Sequence, residues 1–268
     1  MGASRWLFAA LQSYMGTQRL WRRATLARRT ELSLELARLF GDRVQSGPFA
    51  GMLLGEGMPW SQGEARPAKL LGTYESNLHA AIDKAVRRAP QTVVNVGCAE
   101  GYYAVGMARL LPAAKVFAFD TDPRARQLCG EAAAINGVAD RVKVDAGCSA
   151  SVLEELAGRP GNPLAIVDCE GGERDLLDPT VVPGLARCDI IVESHDYLLP
   201  GTTDLLDRRL SPTHDVEFIS QGGRNPSDIA GLAQWAERDR WLLVDEDRPE
   251  TMRWLACWAR QTGSAAPD

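Results

Sequence analysis

The chain has 268 residues, of which 45% are hydrophobic and 24% charged, and its formal net charge is −5. That is enough sequence for one large α/β domain with an appendage, or two small domains, of ordinary soluble composition. The acidic balance excludes nucleic-acid binding through a basic surface, and no apolar run reaches the roughly 18 residues of a membrane-spanning helix.

Residues 1–30 hold six arginines (Arg5, Arg19, Arg22, Arg23, Arg28, Arg29) and no acid. This composition fits a basic helical arm packed on the body or over the active site, a transit peptide, or a helix on an anionic surface; the packed arm is the favoured reading. A secretory signal is not expected, because WLFAALQSYMG is short and lacks a small-residue cleavage site. Leu32, Leu36, Leu39 and Phe40 recur at helical spacing before Gly41, a natural stop. From Gly47 to Gly72 the chain is rich in Gly and Pro and reads as loop. Residues 1–71 are therefore expected to form a helical arm and a lid segment, and residues 72–268 the main domain.

Leu78, Ile82 and Ala85 mark a helix over about Tyr74–Arg88. Strands and helices then alternate: strand Thr92–Val96, helix Gly101–Leu111, strand Lys115–Asp120, and a helix capped by Asp122 with Pro123 at its first position. Strand Arg141–Asp145 leads to a short helix in which Ser151 and Glu154 have capping-box spacing. Strands Leu164–Asp168 and Asp189–Glu193 follow, each ending in an acid. Such alternation predicts a Rossmann-like, doubly wound, mostly parallel sheet. Beyond it, His214–Gln221 reads as a strand, Asn225-Pro226 as the start of a helix to about Arg238, and Arg253–Ala259 as a closing antiparallel strand. The six cysteines have no CxxC pair and no regular spacing, as expected of reduced thiols in a cytoplasmic protein without a structural zinc site.

The stretch VVNVGCAEGYYAV places Gly97 and Gly101 between the first strand and its helix. In an open parallel sheet this turn faces the ligand crevice. A dinucleotide fingerprint would be GxGxxG, and Ala99 stands where its middle glycine belongs. The loop Gly97-Cys98-Ala99-Glu100-Gly101 better fits the amino-acid end of S-adenosylmethionine, whose carboxylate free N–H groups can hold. Asp120 lies 23 residues after Gly97 at the end of the second strand, where a ribose seeks a carboxylate, with Thr121 beside it. Ala146, Gly147 and Cys148, after the third strand, can face an adenine edge.

These segments, with VFAFDTDP, INGVADRVKV, LAIVDCEGGERDLL and DIIVESHD, resemble a class I methyltransferase, and within that class the FkbM-type family. The resemblance covers roughly residues 72–260 and is most specific at Asp168-Cys169-Glu170-Gly171-Gly172-Glu173. Asn95 departs from it by standing where many such enzymes have an acid. The resemblance implies S-adenosylmethionine as methyl donor and a hydroxyl as acceptor.

Asp168 and Glu193 end adjacent strands and are expected beside the transferring methyl group. His195 is the candidate base that takes the acceptor's proton, being a group that titrates near neutrality on a loop at the strand ends. The same two acids suit Mg²⁺, but the sequence offers no evident third ligand, so the base is favoured. The expected function is methyl transfer from S-adenosylmethionine to a hydroxyl of a small molecule or sugar, with no nucleic-acid partner; a homodimer is compatible with it. An inactive nucleotide-binding scaffold of the same fold and a nicotinamide-dependent oxidoreductase are the alternatives. No motif names the acceptor.

Overall fold

In the computed structural model, residues 3–55, 65–229 and 231–260 are described. In chain order the main elements are α1 (Ala3–Phe40), α2 (Arg66–Leu71), α3 (His79–Arg87), β1 (Thr92–Val96), α4 (Tyr102–Leu110), β2 (Lys115–Phe119), α5 (Pro123–Ile135) and β3 (Val142–Asp145). They continue with α6 (Ala150–Ala157), β4 (Leu164–Val167), α7 (Glu173–Leu176), β5 (Asp189–Ser194), α8 (Thr202–Leu210), β6 (His214–Ser220), α9 (Glu237–Val244) and β7 (Arg253–Ala259).

The apolar β-branched runs make the centre of one seven-stranded sheet in the order β3-β2-β1-β4-β5-β7-β6. β1, β4 and β5 are buried along their whole length, as strands covered by helices on both faces must be. Strands β1 to β5 pair in parallel, and β7 runs antiparallel between β5 and β6. Successive residues serve opposite faces: Val93 joins a core with Ile82 and Met107, and Val94 one with Leu153 and Leu206. The Rossmann-like, mostly parallel sheet with an antiparallel strand is the one the sequence leads us to expect. From β1 the chain runs outward through β2 and β3, then returns to lay β4 on the other side of β1. The crevice at the carboxyl ends of β1 and β4 is thus the switch point where such sheets bind ligands.

The second half of α1 is tied to this body. Leu32 and Leu36 are fully buried in a cluster with Leu70 and Leu71 of α2 and Leu243 and Val244 of α9. Arg28 makes a two-pronged bond to Asp239 at 3.2 and 2.7 Å, and Arg29 reaches Asp245 at 2.5 Å. Leu39, which recurs with Leu32 and Leu36 at helical spacing, is 57% exposed. No helix among the described residues is long and apolar enough to cross a membrane.

Several local expectations need correction. Ser149, not Ser151, caps α6: its backbone is extended, and its side chain accepts from the Val152 amide at 3.3 Å. Glu154 instead accepts from the Gly184 amide at 2.7 Å. The helix expected from Tyr74 begins only at His79, after a short 3₁₀ turn over Ser76–Leu78. The helix expected from Asn225 breaks into two 3₁₀ turns, Pro226–Asp228 and Leu232–Gln234, followed by α9. Gly231 lies between them at φ +88, outside helical geometry. The Gly/Pro-rich segment contains α2, and its Leu53 forms an isolated antiparallel bridge with Arg43; its residues 56–64, part of the expected lid, lie outside the described residues.

Candidate active site

The loop after β1 is built by close approach. Gly97 has φ +78, and a Cβ there would stand 1.6 Å from the Asp168 carbonyl oxygen at the end of β4. Only glycine lets the two strand ends lie this near. The amides of Gly97 and Cys98 both donate to the Phe119 carbonyl, at 2.8 and 2.9 Å, joining the loop to the end of β2. Gly101 caps α4 with φ +92, and a Cβ there would press on Cys129 of α5 at 3.0–3.2 Å. Replacing Gly97 by alanine should therefore part β4 from the loop. In addition to the clash, left-handed backbone strain costs about 1–3 kcal/mol. Calorimetric titration with S-adenosylhomocysteine should show a large loss of affinity, and unchanged affinity would count against this description of the loop.

Gly97, Ala99, Asp120, Thr121, Ala146, Gly147, Cys148 and Asp168 line one cavity of about 670 Å³. Two residues expected at the cofactor lie behind its wall: Cys98 is buried, and Gly101 sits against Cys129. Asp120 is fixed by two amides, Ala99 N–H on Oδ2 and Asp122 N–H on Oδ1, both at 2.9 Å. An ionised carboxylate has about four acceptor sites, so capacity for ribose hydroxyls remains. Asp122 acts as the helix cap, accepting from the Arg124 amide at 2.6 Å. Ala99 and Glu170, both on the cavity wall, are non-glycine residues in the left-handed region, at φ +46 and +53. Such backbone outliers concentrate at functional sites. Tyr102 and Tyr103 turn away from this cavity. Tyr102 packs edge-on against Phe49 and Tyr74, and the Tyr103 hydroxyl donates to Glu75.

Asp168 also belongs to a second group at the carboxyl ends of β4 and β5. One donor atom each from Asp168, Glu193 and His195 lies within 4.8 Å of the others. His195 is buried, and its Nδ1 is bonded to Glu173 Oε1 at 2.8 Å. A carboxylate can only accept there, so Nδ1 carries the proton. Nε2 faces Asp168 Oδ1 at 3.4 Å and Glu170 Oε2 at 3.6 Å. Burial alone would lower the imidazole's pKa; the bond to Glu173 and the charges of Glu173, Asp168 and Glu170 outweigh it and hold the pKa above the usual histidine value. Burial, with Asp168 and Glu75 nearby, raises Glu193 to about 10, and burial with Glu75 raises Asp168 to about 6. Glu173 moves the opposite way, its burial outweighed by His195 and by the Cys169 amide.

Sequence reasoning missed the counter-charge. Arg248, on the segment between α9 and β7, bonds Glu193 Oε1 at 2.8 Å, approaches Glu246 Oε2 at 3.5 Å and pairs with Glu75. Glu246 is held in turn by Arg224 at 2.5 Å. Neither arginine stands in a motif, so no sequence signal marked them. Glu173 was visible in the quoted acidic motif, without its role on His195.

Residues 76–158, under a third of the chain, match the family of ribosomal protein L11 methyltransferase (PrmA). No curated protein sequence gives a match. The structure is similar to the O-methyltransferase TomG from Streptomyces achromogenes, involved in tomaymycin synthesis and solved with S-adenosylmethionine. They share 16% identity over 78% of this chain and 93% of that one, with a TM-score of 0.47. An O-methyltransferase from Bacillus cereus, solved with S-adenosylhomocysteine, shares 12% identity over 74% and 98% of the two chains, with a TM-score of 0.45. For an rRNA methylase from Streptococcus thermophilus the values are 14%, 68%, 96% and 0.44. With its strand order and one antiparallel strand, this chain has the Rossmann-like methyltransferase fold.

Proposed function

We propose that the chain transfers a methyl group from S-adenosylmethionine to a hydroxyl of a small molecule or sugar, in the manner of the FkbM-type enzymes its motifs resemble. The observation that carries this reading is the double position of Asp168, on the wall of the switch-point cavity and in the group with Glu193 and His195. A donor site and a proton-handling site thus share one side chain. The match of residues 76–158 to a methyltransferase family supports the same reading.

When bound, the cofactor supplies an electrophilic methyl on a sulfonium. Asp120 would take the ribose hydroxyls, the end of the cavity beside the Gly97–Gly101 loop the amino-acid end, and the turn at Ala146–Cys148 the adenine. Asp168, Glu193 and His195 would orient the acceptor hydroxyl and receive its proton. Alignment alone can supply about 7–11 kcal/mol of the barrier. The arm at residues 1–71 would close the acceptor side, a role supported by Arg29's contacts with Asp245 and Asp247, neighbours of Arg248. The reading includes a cytoplasmic setting, in keeping with six free cysteines.

Asp120→Ala is the test. Hydrogen bonds to a charged group are worth about 1.5–3 kcal/mol each, so affinity for S-adenosylhomocysteine should fall at least tenfold, with the fold retained by circular dichroism. Wild-type affinity in this variant, or tighter binding of NAD than of S-adenosylhomocysteine by the unaltered protein, would remove the basis for the assignment.

A further inference from the structure

A second cavity, of about 340 Å³, opens beside Ser194 and Asp196, the residues on either side of His195, and runs to Glu250 and Arg253 at the start of β7. It meets the switch-point cavity at one hydrogen bond. Tyr197 lines the second cavity, Glu170 lines the first, and the Tyr197 hydroxyl donates to Glu170 Oε2 at 2.9 Å. The Tyr197 ring lies 5.8 Å from that of His195 and is 37% exposed, so it has room to turn. The polar groups on the cavity wall fall into two sets. Asp196 accepts from the Gly201 and Thr203 amides at 3.0 and 3.3 Å, and the Ser194 hydroxyl is bonded to Thr203 Oγ1 and the Arg253 carbonyl at 2.7 and 3.2 Å. These hold the loop. Among the described residues, the Glu250 carboxylate and the Arg253 guanidinium have no ion-pair or side-chain hydrogen-bond partner, not even each other. Nearby, by contrast, Arg248 is paired with Glu193 and Arg224 with Glu246.

From this arrangement we infer that the second cavity is the subsite for the acceptor's body, and that it takes a small hydroxylated zwitterion of the amino-acid kind. The acceptor's acid group lies on Arg253 and its ammonium on Glu250. The inference deepens the proposed function and rests on it for the fate of the hydroxyl. Any occupant displaces the water that now solvates the two charges. A neutral occupant leaves both uncompensated, which is costly, and a singly charged one strands the other. A zwitterion answers both through charge-assisted hydrogen bonds, and the planar fork of Arg253 suits a carboxylate. The size agrees, because 340 Å³ is near the lower end of the range of about 300–1,000 Å³ for small-molecule sites. So does the position: turning Tyr197 away from Glu170 opens the way to His195, whose Nε2 is 3.4 Å from Asp168 on the cofactor side.

Four small hydroxyl compounds test it on the full-length protein, with and without S-adenosylhomocysteine, by ligand-observed nuclear magnetic resonance. L-Serine carries both charges, ethanolamine only the cation, glycolate only the anion, and glycerol neither. L-Serine should bind about tenfold more tightly than either singly charged probe, and glycerol more weakly than all three. Arg253→Gln should lower the affinity for L-serine and glycolate about tenfold and spare ethanolamine. Glu250→Gln should do the same for L-serine and ethanolamine and spare glycolate. Both side chains are exposed, so the two variants should fold as the wild type does. Equal affinity for the four probes, no binding of L-serine, or losses that do not follow the charge removed would overturn the inference. S-adenosylhomocysteine binding on the same preparation separates the two ideas. Cofactor binding without L-serine binding leaves methyl transfer standing and removes the subsite, whereas charge-selective L-serine binding without cofactor binding removes methyl transfer and, with it, the cavity's role as acceptor site.

Discussion

Replacing His195 by alanine should lower the rate of methyl transfer by about 10²–10⁴-fold while leaving the affinity for S-adenosylhomocysteine within a factor of about two of wild type. The separation follows from position. Asp168 lines the switch-point cavity, whereas His195 is not among its lining residues: it is bonded to Glu173 and faces Asp168 at 3.4 Å. To take the acceptor's proton, His195 acts through an unprotonated Nε2. The working form is then the neutral imidazole, and Glu173, Asp168 and Glu170 hold its proton more firmly than water would. The acid limb of the rate profile should accordingly lie above the ordinary histidine pKa of about 6.5, with the rate rising as pH rises through it. Glu173→Gln removes one of the charges that hold the proton and should move that limb to lower pH. A variant lacking His195 with near-wild-type turnover would place the proton-accepting group elsewhere. A limb that stays in place in Glu173→Gln would detach Glu173 from it.

Much of this arrangement could be read from the chain, and what could not has a physical cause. β1, β2, β4 and β5 were legible because each is a mainly apolar run punctuated by Gly, Pro or an acid, β3 because its residues alternate, and Asp122-Pro123 announced α5 through local capping chemistry. Local signals also misled. Ser149 and Ser151 both suit an N-cap, and the extended backbone of Ser149 decides between them. Between β6 and α9, Gly231 interrupts a pattern whose composition is otherwise helical. At the candidate site, Gly97, Asp120, Asp168 and Glu193 were singled out because each sits at a strand end, where topology dictates the ligand side. Arg248 was not found, because its partner Glu75 is 173 residues away in sequence and pairing across such a distance leaves no periodic trace.

The buried charge network makes Arg248→Met the substitution with the largest expected cost to stability. Arg248 reaches three carboxylates, those of Glu75, Glu193 and Glu246, each no more than 2% exposed at the side chain. It also lies 5.6 Å from the ring centroids of both Tyr74 and Trp254, so its plane is packed as well as paired. Methionine keeps much of the volume and removes the charge, leaving Glu75 and Glu193 without their cation. Removing one partner from a buried ion pair typically costs about 3–5 kcal/mol, against total stabilities of about 5–15 kcal/mol. Urea denaturation of the chelator-treated protein should show a loss of that size. Adding Glu75→Gln should return part of it, since one uncompensated charge is then gone while its amide oxygen can still accept from Tyr103. A loss below about 1 kcal/mol in Arg248→Met would mean that the carboxylates are already neutral or solvated without it, as weakly contributing surface pairs are. No recovery on adding Glu75→Gln would assign the loss to ring packing instead of charge.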